Sequence, residues 1–386
     1  MTAALIFLLS VGFVVYVLAG YPLLLALLAR LRPRPLRKRP WAPSVDVLLA
    51  VKDGERWLAA KLESILALDY PKDKLRVIVI SDGSSDATDS IAAEYASRGV
   101  ELLRTAGGGK AAALNAGLRQ ATAEVIFFTD VRQELAPRSL RELTACLADP
   151  DVGAASGELV IRDAETREEA NVGAYWRYEK AIRKRLSALD SVLGATGCIY
   201  AMKREFCVEM PPGTLVDDMH LPLAAFFRGK RVILEGEARA YDYPTPLDSE
   251  FRRKVRTLAG NYQILRHYPQ LLGPRNRMWL HFMSHKFGRL LLPFALIAAA
   301  VSSFFLPEPF NWLALGGQAA FYGAAIIDPL VPERSPLRKI TSPVRVFVVM
   351  MAAAFCATSI LFGGGRYWTE TRVSAPQGER APSRSS

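Results

Sequence analysis

From Ala4 to Ala29 the chain runs 26 residues without a charged side chain. As a helix this run is long enough to cross about 30 Å of hydrocarbon, and only a helix satisfies its backbone there. It lacks the basic start and the small-residue cleavage site of a secretory signal, so residues 1–30 read as a retained anchor. Three further apolar runs, Leu290–Leu306, Phe310–Ile327 and Val346–Phe362, follow toward the other end, broken by Pro307, Pro309, Pro329 and Pro332. With 51% apolar residues in 386, the composition agrees with a membrane part built around one larger domain.

Charge gives the expected orientation. Arg30, Arg32, Arg34, Arg37, Lys38 and Arg39 follow the anchor directly, which puts the next domain on the cytoplasmic side of a bacterial-type plasma membrane. Pro33, Pro35, Pro40 and Pro43 make this linker, residues 31–43, extended and stiff. Anionic lipid headgroups are the expected partner of its basic residues. Nucleic acid is not expected: the net charge is +11, but no basic stripe interleaved with aromatics follows. The Pro332–Arg345 stretch, with Arg334, Arg338, Lys339 and Arg345, reads as a cytoplasmic loop. Counting spans puts the C-terminus outside, whereas four arginines in the polar tail, residues 366–386, argue for the inside. One apolar run of the 290–365 bundle is then re-entrant or interfacial. Ahead of that bundle, residues 266–289 read as an interfacial amphipathic segment, with Trp279, His281, His285, Lys286 and Arg289 at headgroup level. Cys146, Cys198, Cys207 and Cys356 show no metal or disulfide spacing and read as reduced thiols.

Between the membrane segments, from residue 44 to 265, the pattern changes to α/β. Val45–Val51, Leu75–Ile80, Val100–Leu103 and Val125–Thr129 read as short buried strands; Arg56–Leu68, Asp86–Ser97 and Gly109–Ala121 read as the helices between them. The alternation predicts a parallel sheet covered on both faces, with its ligand beyond the carboxyl ends of the strands. Asp53, Asp82 and Asp130 all fall at that rim. Common alternatives are missing: no GxGxxG, no GxSxG and no HExxH is present, and Gly107-Gly108-Gly109-Lys110 lacks the spacing of a phosphate loop.

Four motifs in this domain, Ser81-Asp82-Gly83-Ser84-Ser85-Asp86, Gly109-Lys110-Ala111-Ala112-Ala113-Leu114-Asn115, Thr129-Asp130 and Asp217-Asp218, resemble those of family-2 glycosyltransferases. The resemblance covers roughly Ser44 to Ile264 and extends to the membrane-bound branch that makes chitin, hyaluronan and poly-N-acetylglucosamine. It implies a GT-A fold, Rossmann-like with a mostly parallel sheet, and sugar transfer with inversion. The implied donor is a UDP-sugar, the implied cofactor Mg²⁺ or Mn²⁺, and the implied acceptor a lipid-linked glycan or a cell-envelope polysaccharide.

Residue by residue, the resemblance makes Asp82 the acid that receives uracil and ribose. Asp53 stands beside the base or is a turn residue, with Gly54 where the family has glutamate. Lys110 and Asn115 lie near the diphosphate. Asp130 matches the first acid of DxD and the metal ligand; its second acid is here Arg132, which either takes over charge neutralisation or lies on the surface. Asp218 matches the catalytic base, and the repulsion of Asp217 favours a carboxyl able to accept a proton. Arg256 matches the arginine of QxxRW, with Arg253 and Thr257 replacing glutamine and tryptophan, or belongs to a basic membrane-surface face with Arg252, Arg253 and Lys254. Gly194-Ala195-Thr196-Gly197 resembles the turn that faces the acceptor. Gly157-Glu158 and Tyr175-Trp176 are expected nearby, although core packing would explain Trp176 equally, and His220 is either a packed or solvent-facing histidine or a metal or phosphate contact. Two other readings remain at this point: transfer to polyprenyl phosphate on the same fold, and a degenerate scaffold without catalysis.

Overall fold

The computed structural model describes residues 1–162, 174–243, 247–332 and 335–362. The tail 366–386, Arg334 and the side chain of Tyr175 lie outside the described residues. Eight strands form one sheet: β1 (Val45–Val51), β2 (Leu75–Asp82), β3 (Val100–Thr105), β4 (Val125–Thr129), β5 (Glu134–Leu135), β6 (Val152–Ile161), β7 (Ile199–Lys203) and β8 (Arg231–Asp242), in the order β3-β2-β1-β4-β7-β6-β8-β5. The first four are parallel neighbours, as their crossover helices require. β7 then enters antiparallel between β4 and β6, so the sheet is mixed rather than wholly parallel. The α/β, mostly parallel architecture agrees with the expectation.

Period-2 alternation sorts the strand residues onto two faces. Leu48, Ile78, Ile80, Ile126 and Phe128 face one core, while Val47, Leu49, Val77, Val79 and Phe127 face the other. Glu55–Leu66 and Ser139–Leu147 cover the second face. The first core also takes in Tyr21 and Leu25 of the N-terminal helix and Phe282 of a C-terminal one. Domain and apolar helices therefore share a core.

Three helices are long and apolar enough to cross a membrane: Thr2–Leu31, Trp279–Ser303 and Arg338–Leu361. A fourth, Phe310–Ile327, packs with them. From Trp279 on, the segment expected to lie apart at an interface belongs to the second of these helices. Two of its polar residues point inward while Trp279 stays exposed: His281 and His285 are buried, and Tyr21 Oη lies 3.2 Å from His281 Nδ1. Helical periodicity turns that face onto the α/β domain, where Arg289 pairs with Glu179. Arg345 lies inside the Arg338–Ala357 helix rather than in a loop and pairs with buried Asp328 at 3.5 Å.

The basic linker packs on the α/β domain. Arg34 pairs with Asp151 and Asp190, Arg37 with Asp149 and Asp151, and Lys38 with Glu142 and Glu235. These arginines and this lysine meet carboxylates of the α/β domain, and Arg37 stays largely exposed. Arg231, fully buried, donates to the backbone oxygens of Arg34, Pro35, Ser187 and Asp190 at 2.9–3.2 Å. A prolyl linker has few amides of its own, so its carbonyls are open to such a clamp.

Candidate active site

At the carboxyl edge of β2, Asp82 accepts Gly109 N–H at 2.9 Å and Thr105 Oγ at 3.0 Å. Both oxygens are thereby engaged in ordering the loop from Gly107 to Gly109, all three with positive φ. Gly83 must be glycine for the same reason: it has φ +65°, and a Cβ there would meet Gly107 N at 3.3 Å. Asp53, a non-glycine residue with positive φ, accepts Ser85 N–H at 2.8 Å, and its own N–H donates to Ser84 Oγ. The turn reading of Asp53 thus describes its contacts. Asn115 engages Met210 with both halves of its amide, at 2.8 and 2.9 Å, and so braces the chain ahead of Asp217.

The centre of the site is an ion cluster. Lys110 opens the helix Lys110–Gln120, and its Nζ lies 2.8 Å from Asp130 Oδ1 and 3.1 Å from Asp217 Oδ1. Burial works against the ammonium, but Asp130 and Asp217 more than offset it and hold its pKa above the ordinary lysine value. Asp217 begins the helix Asp217–Phe227 without capping it. Asp218 follows in the same first turn. Burial, with the Asp217 charge, pushes the Asp218 carboxyl up to about 6 against the pull of Lys110 and Lys286. A carboxylate with that value is ionised at neutral pH and still able to take a proton.

Opposite Asp218 stands the glycine turn. Ala195 N–H donates to Asp218 O at 2.7 Å, and a Cβ on Gly197 would lie 3.0 Å from Asp218 Oδ2. Arg183 braces this turn through Thr196 Oγ at 2.9 Å and Ser156 Oγ at 3.2 Å. Lys61, buried beneath β4, donates to Thr129 Oγ at 2.7 Å and to Gln133 O at 2.6 Å. Burial lowers its pKa to about 7. Lys61 and Lys286 have no signature in the sequence: one is a lysine in an ordinary amphipathic helix, the other lies in a segment that reads as interfacial.

Arg132 does not reach this cluster. It pairs with Asp242 at the end of β8, where Gln133 Nε2 also donates at 2.8 Å. Among the described residues no group of three His, Cys, Asp or Glu could hold a metal. Arg256 is half-buried on the helix Leu247–His267, one turn before Gly260, where that helix touches Val216. His220 is packed against His267 and Tyr268, and burial lowers its pKa to about 4. Trp176 packs on the second core and also lines a cavity of about 30 Å³ with Glu158, Lys180, Arg183 and Thr196.

The family model for glycosyl transferase family 2 matches residues 46–209. An N-acetylglucosaminyltransferase of Bradyrhizobium elkanii is 37% identical over 123 residues, 31% of this chain and 67% of the relative. The chain belongs to glycosyl transferase family 2. A beta-monoglucosyldiacylglycerol synthase of Synechocystis is 24% identical over 314 residues, 74% of this chain and 64% of the relative. Several curated relatives are matched over only about a third to two thirds of their own length. The fold of this family-2 chain is like that of a mannosyltransferase from Pyrobaculum calidifontis, solved in complex with GDP-Man and Mn²⁺. The TM-score is 0.70, at 23% identity, over 92% of this chain and 98% of the other.

Proposed function

We propose that this family-2 chain is an inverting glycosyltransferase of the membrane-bound branch. It moves a hexose or N-acetylhexosamine from a nucleoside-diphosphate sugar, UDP-linked in our reading, to a hydroxyl of a lipid-linked glycan or polysaccharide. The observation that carries the proposal is the placement of Asp218 between the Lys110–Asp130–Asp217 cluster and the Gly194–Gly197 turn. Asp218 takes the proton of the acceptor hydroxyl. The acceptor oxygen bonds to the anomeric carbon from one side as the bond to the diphosphate breaks on the other. Lys110 and Arg256 carry positive charge to the departing diphosphate. The loops that Asp82 and Asp53 order form the rim for the nucleoside, and Asn115 keeps the Asp217 segment in register.

Asp130 is the one half-exposed carboxylate of the cluster, and Lys110 already touches one of its oxygens. That donor set fits Mg²⁺ or Mn²⁺ shared with the phosphates of the donor and does not fit a site made by protein alone. Bound there with Asp130, the ion would supply charge neutralisation for the diphosphate. Three long apolar helices, with Leu8, Leu27, Phe305 and Trp312 exposed on the bundle, support an integral membrane location. The basic linker, joined to the α/β domain, supports a cytoplasmic catalytic face.

The test is release of nucleoside diphosphate by the purified, detergent-solubilised chain over a panel of UDP- and GDP-sugars, with and without Mg²⁺ or Mn²⁺. Asp218→Asn is expected to lose about 10²–10⁴-fold in rate while donor binding stays near wild type. Unchanged transfer by Asp218→Asn would remove the base from this account. Absence of both donor binding and release would favour a scaffold.

A further inference from the structure

Two cations next to Asp218 have no part in the chemistry described so far. Lys286, on the helix Trp279–Ser303, reaches the glycine turn. Its Nζ lies 3.5 Å from where a Cβ on Gly194 would stand. Among the described residues its hydrogen-bond acceptor is the Met219 thioether, at 3.5 Å. A thioether is a weak acceptor for an ammonium with three donors. Arg183 comes to the same turn from the helix Ala174–Leu189, with Nη2 3.5 Å from Gly194 O; its partners are hydroxyls and carbonyls. Neither side chain makes an ion pair among the described residues. Both are half-buried.

The surrounding charges do not balance them. Glu179 is shared by Arg289 and His285 and also feels Lys254. Glu158 pairs with Lys180 at 3.0 Å. Asp218 faces both Lys286 and Arg183, as Glu179 does, and Asp218 is the group that must accept a proton. Half-buried cations whose hydrogen-bond partners are neutral lose part of their solvation, and a phosphate would offset that loss with charge-assisted hydrogen bonds. In the functional reading above Lys110 belongs to the donor side of Asp218, and Lys286 and Arg183, at the glycine turn, belong to the acceptor side.

We infer that Lys286 and Arg183 form a binding site for a phosphate or phosphodiester group carried by the acceptor, next to the hydroxyl that reacts. The inference rests on the functional reading above, because it takes the Gly194–Gly197 side of Asp218 as the acceptor side. The anion comes either from a lipid headgroup presented along the helix Trp279–Ser303 or from a water-soluble phosphate.

Binding to the full chain in detergent, without any donor, tests this. The probes are mixed micelles containing dioleoyl phosphatidic acid, the same micelles containing dioleoylglycerol, and glycerol 3-phosphate in solution. Wild type is expected to bind a phosphate probe and not dioleoylglycerol. Lys286→Met should weaken that binding about tenfold or more, and Lys286→Arg should restore most of it. Thermal unfolding of each variant checks that folding is intact. Loss of phosphatidic acid binding alone would assign a lipid source, and loss of glycerol 3-phosphate binding would assign a soluble one. Equal binding by wild type and Lys286→Met, or equal binding of dioleoylglycerol, would overturn the inference. Sugar transfer by a chain that binds none of the probes would overturn it too, and leave the transferase reading standing.

Discussion

Replacing Lys110 by methionine separates the two tasks that the ion cluster performs. The substitution keeps the length of the side chain and removes the charge 2.8 Å from Asp130 and 3.1 Å from Asp217. One consequence concerns the donor: losing a charge-assisted contact to a diphosphate costs about 1.5–3 kcal/mol, or roughly 10- to 150-fold in rate. This part should not depend on pH. The other consequence concerns the base. Lys110 holds the Asp218 carboxyl down, and Asp217 pushes it up. Without the lysine, Asp217 is left uncompensated, and an upward shift of about one unit follows from about 1.4 kcal/mol of lost attraction. The acid limb of kcat/KM for the free enzyme should then move from about 6 toward about 7. At pH 6 the wild-type base is about half ionised and the variant's about a tenth, a further fivefold deficit; at pH 9 both are ionised and that deficit disappears. The assay is nucleoside diphosphate release at subsaturating donor between pH 5 and 9, read as the ratio of wild type to Lys110→Met. A ratio that stays flat across pH would refute the electrostatic coupling of Lys110 to Asp218, whatever its absolute size.

Three more outcomes follow from the same geometry. Gly197→Ala places a methyl 3.0 Å from Asp218 Oδ2, so the carboxylate must move by a few tenths of an ångström; turnover should fall about tenfold with donor affinity unchanged, measured as a split between kcat and donor Kd. Mn²⁺ should bind the chain only together with a nucleoside diphosphate, because Lys110 occupies Asp130 and Asp217 and no group of three ligating side chains is present among the described residues; calorimetry that detects tight Mn²⁺ binding to the free chain would contradict this. Arg231→Met removes four backbone hydrogen bonds from a buried clamp and should destabilise the linker junction by about 3–5 kcal/mol, seen as faster proteolysis between residues 31 and 43.

The α/β half of the molecule was legible because local pattern and tertiary placement agree there. β1 and β4 have the bounds that the apolar runs predict, and the helix Lys110–Gln120 starts one residue inside its expected range. The acids at strand ends meet at one rim because a parallel sheet leaves its carboxyl ends no other place. What the sequence hides is partner choice. Arg34, Arg37 and Lys38 look the same whether they face headgroups or Asp149, Asp151 and Glu142; only the fold brings those acids, over a hundred residues away, beneath the linker. Arg132 likewise keeps a charge that its position suggested for the diphosphate, and Asp242 takes it.

The same blindness applies to the polar face of the segment Asn276–Arg289, and there it bears on function. A run of Trp, His, Lys and Arg before an apolar stretch has the composition of a headgroup belt, and composition alone supports that reading. The helix instead begins at Trp279 and continues to Ser303 without a break, so the direction of its polar face is fixed by the packing of its apolar remainder. Gly288 allows that packing: a Cβ there would meet Val17 Cγ2 of the N-terminal helix at 3.2 Å. Once the two helices are in contact, Lys286 and Arg289 point to Gly194 and Glu179 rather than away from the protein. A bulky residue at position 288 should therefore disturb Lys286 and the acceptor side of Asp218 without touching the donor side. Gly288→Leu ought to raise the KM for acceptor several-fold at unchanged donor Kd, and a change in donor affinity instead would mean that helix position and base geometry are not linked in this way.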